Sequence, residues 1–271
     1  MSAPPLFRLA DERRVTVVRD AAMVQKVLDE DPVGTCMVAS RVADYGIEPG
    51  AIGGELWTRR RPTESLCYAG PNMIPLRGDV DDLSAFADKA TSTARRCSSL
   101  VGRAELVMPM WRRLESVWGP ARDVREHQPL MALDNVPQCE VDPAVRPVRM
   151  DELDAYLVAA IDMFIGEVGV DPRVGDGGRG YRRRVAGLIG AGRAWARFER
   201  GEVVFKAEVG SQSPAVGQIQ GVWVHPEKRG RGLGVGGTAA LADAVVRSGR
   251  VASLYVNGFN TVARATYARI G

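Results

Sequence analysis

Hydrophobic and polar positions in the second half of the chain switch repeatedly between two periods. Leu153, Tyr156, Leu157, Ala160, Ile161 and Phe164 recur at helical spacing behind Asp151, a residue suited to capping a helix start. A short strand, 145–149, precedes them, and a loop rich in Gly and Asp, 166–180, follows. A second helix is expected over 181–189. Three strands are expected next, at 193–199, 203–209 and 217–224, turned by Gly201-Glu202 and by the connection 211–214. This is an antiparallel meander. A glycine-rich loop at 230–237 leads into a helix over 238–247, then a strand over 251–256 and a helix over 261–270.

The first half runs in much the same order. Residues 15–18 read as a strand and 21–28 as a helix, and strand candidates follow at 35–42, 55–60 and 66–76. A helix over 82–94, a short strand at Leu100-Val101, an amphipathic helix over 105–118 and a closing strand over 124–133 complete it. Two halves of like topology are the simplest organisation, an α/β (α+β) class in which each half is a mixed, mostly antiparallel sheet flanked by helices. Turn formers and prolines between Asp134 and Val145 place the boundary there, dividing the chain into 1–138 and 139–271.

Composition narrows the function. Apolar residues are 45% of 271 and charged residues 25%, which excludes disorder and disulfide-dense miniproteins. The net charge of +3 is too near balance for a dedicated nucleic-acid or membrane binder, and arginine outnumbers lysine 32 to 4 without a basic helix interleaved with aromatics. The charge is uneven: residues 1–140 hold 18 basic and 20 acidic groups, residues 141–271 hold 18 and 13, so an anionic ligand belongs with the second half. Met1-Ser2-Ala3-Pro4-Pro5 runs into charged residues with no apolar segment behind it, and no stretch is long and apolar enough to span a membrane, which points to the cytoplasm. Cys36, Cys67, Cys97 and Cys139 lack metal-ligand spacing, and His127 and His225 are the only histidines, so no metal site is expected.

The most informative stretch is Val222-Trp223-Val224-His225-Pro226-Glu227-Lys228-Arg229-Gly230-Arg231-Gly232-Leu233-Gly234-Val235-Gly236-Gly237. A strand ends, Pro226 stops its ladder, and bare glycines lie where a helix begins, so backbone N–H groups gather at the positive end of a helix dipole. That is an anion site suited to a pyrophosphate. A nucleoside-triphosphate P-loop is excluded because no Lys-Ser or Lys-Thr follows the glycines. Gly232, Gly234 and Gly237 satisfy the dinucleotide spacing, but the acidic residue required about 20 positions on is missing, since no Asp or Glu follows Asp243.

Arg229-Gly230-Arg231-Gly232-Leu233-Gly234 resembles the Arg/Gln-x-x-Gly-x-Gly/Ala acetyl-CoA signature of the GNAT superfamily of N-acetyltransferases. Asn260, Ala263, Tyr267 and Gly271 are spaced like that family's N-x-x-A-x-x-x-Y-x-x-x-G segment, and the likeness covers 145–271. It implies a tandem GNAT-like protein that moves an acetyl group from acetyl-CoA to a primary amine, of a small molecule or a protein, by direct attack in a ternary complex. In the family's manner, backbone groups of Val222, Trp223 and Val224 would meet the pantetheine arm. Arg229, Gly230, Arg231, Gly232, Leu233, Gly234 and Val235 would hold the pyrophosphate, Asn260 would touch the cofactor, and Tyr267 would be the general acid. Plain core packing is the competing reading for Trp223 and Tyr267.

The base is less readable. The strand over 217–224 carries Gln218 and Gln220 instead of a carboxylate, which leaves Glu208 and Glu167 as candidates beside a water chain, with His225 a weaker one. The loop 166–180 lies where the superfamily forms its acceptor wall, near Arg179, Arg182, Arg183 and Arg184. In the first half the corresponding loop, Arg77-Gly78-Asp79-Val80-Asp81-Asp82, holds three carboxylates that would repel a pyrophosphate, so that half is expected to be degenerate and cofactor-free. Such a pairing resembles a subgroup of actinobacterial proteins. Relatives continue past Tyr-x-x-x-Gly into a final strand, so the sheet edge here is truncated, lost or supplied from elsewhere. An open edge would invite a homodimer. Two rival functions remain: an acetyl-CoA-binding sensor or adaptor without transfer, and an aminoacyl transferase fed by charged tRNA.

Overall fold

The computed structural model describes residues 14–271, so the reading of Met1–Pro5 lies outside the described residues. The chain divides into two compact units after His127. In the first, strand β1 (Thr16–Val17) leads through helices α1 (Ala21–Glu30) and α2 (Cys36–Tyr45) to β2 (Glu55–Thr58), β3 (Leu66–Ala69) and β4 (Asn72–Arg77). Helix α3 (Val80–Thr91), β5 (Ser99–Leu100) and α4 (Ala104–Trp118) follow. The sheet order is β1-β2-β3-β4-β5, antiparallel except for the β4–β5 pair. One buried cluster packs α1 and α2 residues on Leu56, Leu66 and Tyr68, while a second packs Phe86, Met110 and Leu114 of α3 and α4 on Trp57, Cys67 and Met73.

Two strand expectations fail here. Residues 36–42 are helical behind Thr35, because Val38 and Val42, four apart, face the same core and Met37 and Ala39 favour a helix. Residues 66–76 are two strands, since Gly70-Pro71 turns the chain into a hairpin closed by Gly70 N–H on the Asn72 carbonyl at 3.2 Å.

The second unit contains β6 (Leu130–Leu133), β7 (Arg146–Pro147), α5 (Leu153–Val168), α6 (Arg179–Gly190), β8 (Ala194–Glu199), β9 (Glu202–Gln212) and β10 (Val216–Val224). Helix α7 (Leu233–Arg247), β11 (Val251–Tyr255) and α8 (Thr261–Ala268) complete it. From β7 onward the element order repeats that of the first unit, and the sheet order β7-β8-β9-β10-β11 repeats as well. Phe205, Ala207 and Ile219 face α7, and the opposite face packs on α5 and α6 through Tyr156, Ala160 and Val185.

The strand expected to close the first sheet belongs to the second. Leu130–Leu133 pairs antiparallel with β11, from Ala252↔Leu133 to Tyr255↔Leu130. The segment chosen as a boundary is bound down on the same unit: Gln138 N–H donates to the Ile270 carbonyl at 2.7 Å, Asp142 N–H to the Gly236 carbonyl at 3.0 Å, and Arg197 pairs with the Asp142 carboxylate at 2.9 Å. The division therefore falls eleven residues upstream of the 138/139 boundary read from turn formers. It also answers the question of the missing edge. The place beside β11 is filled from upstream by β6, which becomes the outer strand of the six-stranded sheet.

Candidate functional site

Strand β10 pairs with β9 to its end but with β11 only from Val216↔Val251 to Ile219↔Leu254. Beyond Ile219 the two parallel strands part. At the same point β10 gains a residue against β9: Gln220 faces Glu208 and Trp223 faces Lys206, so Gly221 and Val222 have no registered partner on either side. Gly221 has φ +59°, a bulge conformation that glycine adopts without strain. A cleft thus opens between β10 and β11, walled by the backbone of the strand that leads into the glycine loop.

After His225 N–H closes the ladder on the Val204 carbonyl at 3.0 Å, residues 226–228 make a 3₁₀ turn tied down by Lys228 on Glu199 at 2.8 Å. Arg229 Nε returns to the Val224 carbonyl at 3.3 Å, and Arg231 is exposed. Gly230 and Gly232 sit at φ +75° and +82°, and a Cβ on either would meet no atom within 4 Å. Gly232 caps α7 without a side chain, and no acidic residue lies in the first turn. The first helical bond runs from Gly236 N–H to the Gly232 carbonyl, which leaves the N–H groups of Leu233, Gly234 and Val235 without an acceptor among the described residues. The helix starts five residues earlier than its apolar spacing predicts, so these three residues form its first turn. Gly237 has a packing role: a Cβ there would lie 2.6 Å from the Phe205 ring, so only glycine lets α7 approach β9 so closely. Open N–H donors, a dipole end and no competing carboxylate fit a pyrophosphate.

The remaining predicted residues divide between the two faces of the sheet. Val222 and Val224 pack on the α7 side. Trp223 faces the other way, donating from Nε1 to Asp162 at 2.9 Å and meeting His225 edge-on at 5.8 Å. Asn260 caps α8, its side-chain oxygen accepting from Ala263 N–H at 3.0 Å, a local reason for an Asn there. Tyr267 is half-buried against the α7-side core, and burial, with the Glu167 charge, pushes its phenol up to about 12.

Glu167 lies exposed in the last turn of α5, and its charge acts on Tyr267 and Lys206. Glu208 is 2% exposed. Its Oε1 accepts from Arg184 at 3.1 Å and from the Gln220 amide at 2.8 Å, and its Oε2 lies 3.7 Å from Lys206 Nζ. Burial alone would raise this carboxyl, but the Lys206 and Arg184 charges and the Gln220 amide outweigh it and hold it below the ordinary range. Gly210 makes the arrangement fit, since a Cβ there would fall 2.0 Å from the Gln220 side chain. Lys206 is not among the residues expected at the site, although Lys206 and Glu208 alternate with Phe205, Ala207 and Val209 in a central strand where both faces are covered. A charged pair at those positions is the available signal. The arginine patch is dispersed onto local partners: Arg179 on the Asp176 carbonyl, Arg182 on Asp154 and Arg184 on Glu208.

The first unit holds the counterpart of the glycine loop between β4 and α3. There Asp79 accepts from Asp82 N–H at 2.9 Å while Asp79 N–H donates to Asp82 at 3.1 Å, a closed capping box. Asp82, fully buried, also takes Arg60 and, at 3.3 Å, Arg59. Where α7 begins without a carboxylate, α3 carries its own: Asp79 takes the third N–H of the helix and Asp82 the N–H of the cap residue.

Among the described residues, no helix is long and apolar enough to cross a membrane. Residues 206–271 match the model of the FR47-like protein family, and residues 54–156 match a domain of unknown function, DUF4081. No curated protein matches the chain in sequence. Among solved structures, a Drosophila melanogaster protein aligns over 95% of this chain and 94% of its own at 13% identity and TM-score 0.60. An acetyltransferase of the GNAT family from Colwellia psychrerythraea aligns over 95% of each chain at 11% identity and TM-score 0.52. A Novosphingobium aromaticivorans protein described as a GNAT-family acetyltransferase shares 18% identity at TM-score 0.39, and this chain spans 57% of its length. The chain therefore has the fold of the GNAT acetyltransferases, set out as two GNAT-like units of which the second carries the FR47-like segment.

Proposed function

We propose that the protein is an acetyl-CoA-dependent N-acetyltransferase whose second unit holds the cofactor and whose first unit does not. The observation that carries this reading is the start of α7: three N–H groups without acceptors, bare glycines and no carboxylate, directly after a strand that has left its neighbour. The loop from Arg229 to Val235 would hold the pyrophosphate, and the separated backbone of Val222 to Val224 would take the pantetheine arm. Bound acetyl-CoA supplies an activated thioester carbon. A primary amine of a small molecule or a protein attacks it, the bulge at Gly221 and Val222 lies where an N–H would meet the oxyanion, and Tyr267 gives its proton to the departing thiolate. A phenol held near 12 stays protonated throughout the physiological range, as a proton donor must. Glu208 is held by Arg184, Gln220 and Lys206, and Glu167, exposed and electrostatically linked to Tyr267, is the other candidate to take the amine's proton, directly or through water.

Isothermal titration with acetyl-CoA tests the reading directly, with saturable binding expected. Tyr267→Phe should bind acetyl-CoA within about twofold of wild type yet transfer acetyl to amines about 100-fold more slowly or worse. A second reading, a sensor that binds acetyl-CoA without transferring its acetyl group, draws support from Gln218 and Gln220 standing where a carboxylate is wanted. It would be preferred if binding were retained and no amine tested accelerated thiol release.

A further inference from the structure

Lys206 is fully buried, and among the described residues its Nζ finds no hydrogen-bond acceptor. It lies 3.7 Å from Glu208 Oε2 and 5.3 Å from the centre of the Tyr156 ring, over its face. On its remaining side is Gly221: a Cβ built there would come within 3.1 Å of Nζ and 3.0 Å of Met163 Cε. The bulge is thus pressed against a lysine head group, and the absence of a side chain at 221 makes the approach possible. An ammonium buried this way is stabilised by the Glu208 carboxylate and by the Tyr156 ring, whose negative face attracts cations. Little water screens its charge.

We propose that Lys206 is a positioning residue for acyl transfer: a buried cation set behind the bulge at Gly221 and Val222, whose charge strengthens the bulge N–H groups toward a developing oxyanion. The inference rests on the acetyltransferase reading above and adds a residue to it. The titratable groups packed around Lys206 are Glu208 on its own strand, Glu167 and Tyr156 on α5, and Arg184 and Tyr181 on α6. The facing strands offer Ala196 and Trp223, neither of which titrates. Burial lowers the Lys206 ammonium, and Glu208 and Glu167 return part of that shift. A group lowered in this way discharges as pH rises, so the support it gives the bulge is present at lower pH and fades on the alkaline side.

The chain has four lysines, Lys26, Lys89, Lys206 and Lys228, so a carbon-13 spectrum of lysine Cε is simple to assign with Lys206→Met. In the full-length protein, the Lys206 Cε signal and the amide signals of Gly221 and Val222 should titrate together, below the ordinary lysine range. Glu208→Gln should move both midpoints down together, which provides a second arm if Lys206→Met folds poorly. Lys206→Met of unchanged melting temperature should release thiol from acetyl-CoA with n-butylamine about tenfold more slowly. Its acetyl-CoA dissociation constant should stay within twofold, and the alkaline fall in rate that follows Lys206 should disappear. Bulge amides indifferent to Lys206, or an unaltered rate and pH profile in Lys206→Met, would overturn the inference. Failure of the wild type to bind acetyl-CoA would overturn the transfer role together with the function beneath it, and co-titration of the amides tells that failure from one in Lys206 itself.

Discussion

Helices α3 and α7 occupy the same place in two copies of one topology, and their first turns have opposite chemistry. At α3, Asp79 takes the Asp82 N–H, Asp82 takes the Asp79 N–H, and Arg59 and Arg60 neutralise the carboxylates, so the helix start carries its own anions. At α7, glycine supplies the cap and contributes no acceptor. A helix N-terminus is a favourable anion site in either case; what differs is whether the anion is covalently part of the chain. The first unit closes its helix start with its own carboxylates, and the second keeps its start open by giving up a side-chain cap that is worth only roughly a few tenths of a kcal/mol over glycine.

Three variants test that contrast. The largest effect is expected from Asp82→Ala, which strips a fully buried carboxylate from Arg59 and Arg60 and should destabilise the first unit by about 3–5 kcal/mol in urea unfolding. A loss under about 1 kcal/mol would mean that the buried acid is not what closes α3. Next, Gly232→Asp with Gly234→Asp gives α7 the acids of α3, and acetyl-CoA binding should weaken about 100-fold or more, near 3 kcal/mol. Wild-type affinity in that double variant would remove the pyrophosphate assignment. The smallest change is Asp79→Ala, about 1 kcal/mol for a lost N-cap, because its pairing with Arg60 is solvent-exposed and adds little. It should confer no acetyl-CoA binding on α3 while Asp82 remains.

Much of this contrast was legible in the residues. Glycines without acids before one helix and three aspartates before the other gave the difference in charge, and the order of strands and helices gave the tandem topology. What escaped detection depends on distant partners. Residues 35–42 alternate enough to pass for a strand until Val38 and Val42 find the same core. Nothing local in Leu130-Met131-Ala132-Leu133 tells which sheet it joins, because the choice is made by β11, more than a hundred residues on. The cluster of Arg184, Lys206, Glu208 and Gln220 is assembled from α6, β9 and β10, and it becomes visible only when Gly210 and Gly221 are seen to leave the space it fills.

The placement of β6 has a consequence for biosynthesis. A chain grows from its N-terminus at about 5–20 residues per second. When Leu133 emerges, the first unit has all its own strands, yet the partners of β6, Ala252 to Tyr255, lie about 120 residues away and are still to be made. For roughly 6–25 s at those rates, Leu130, Met131 and Leu133 therefore trail as an apolar strand with no sheet to join. The nascent protein is most exposed to mispairing after its first unit is complete and before its last helix is made, and that interval is when a chaperone would have most to protect.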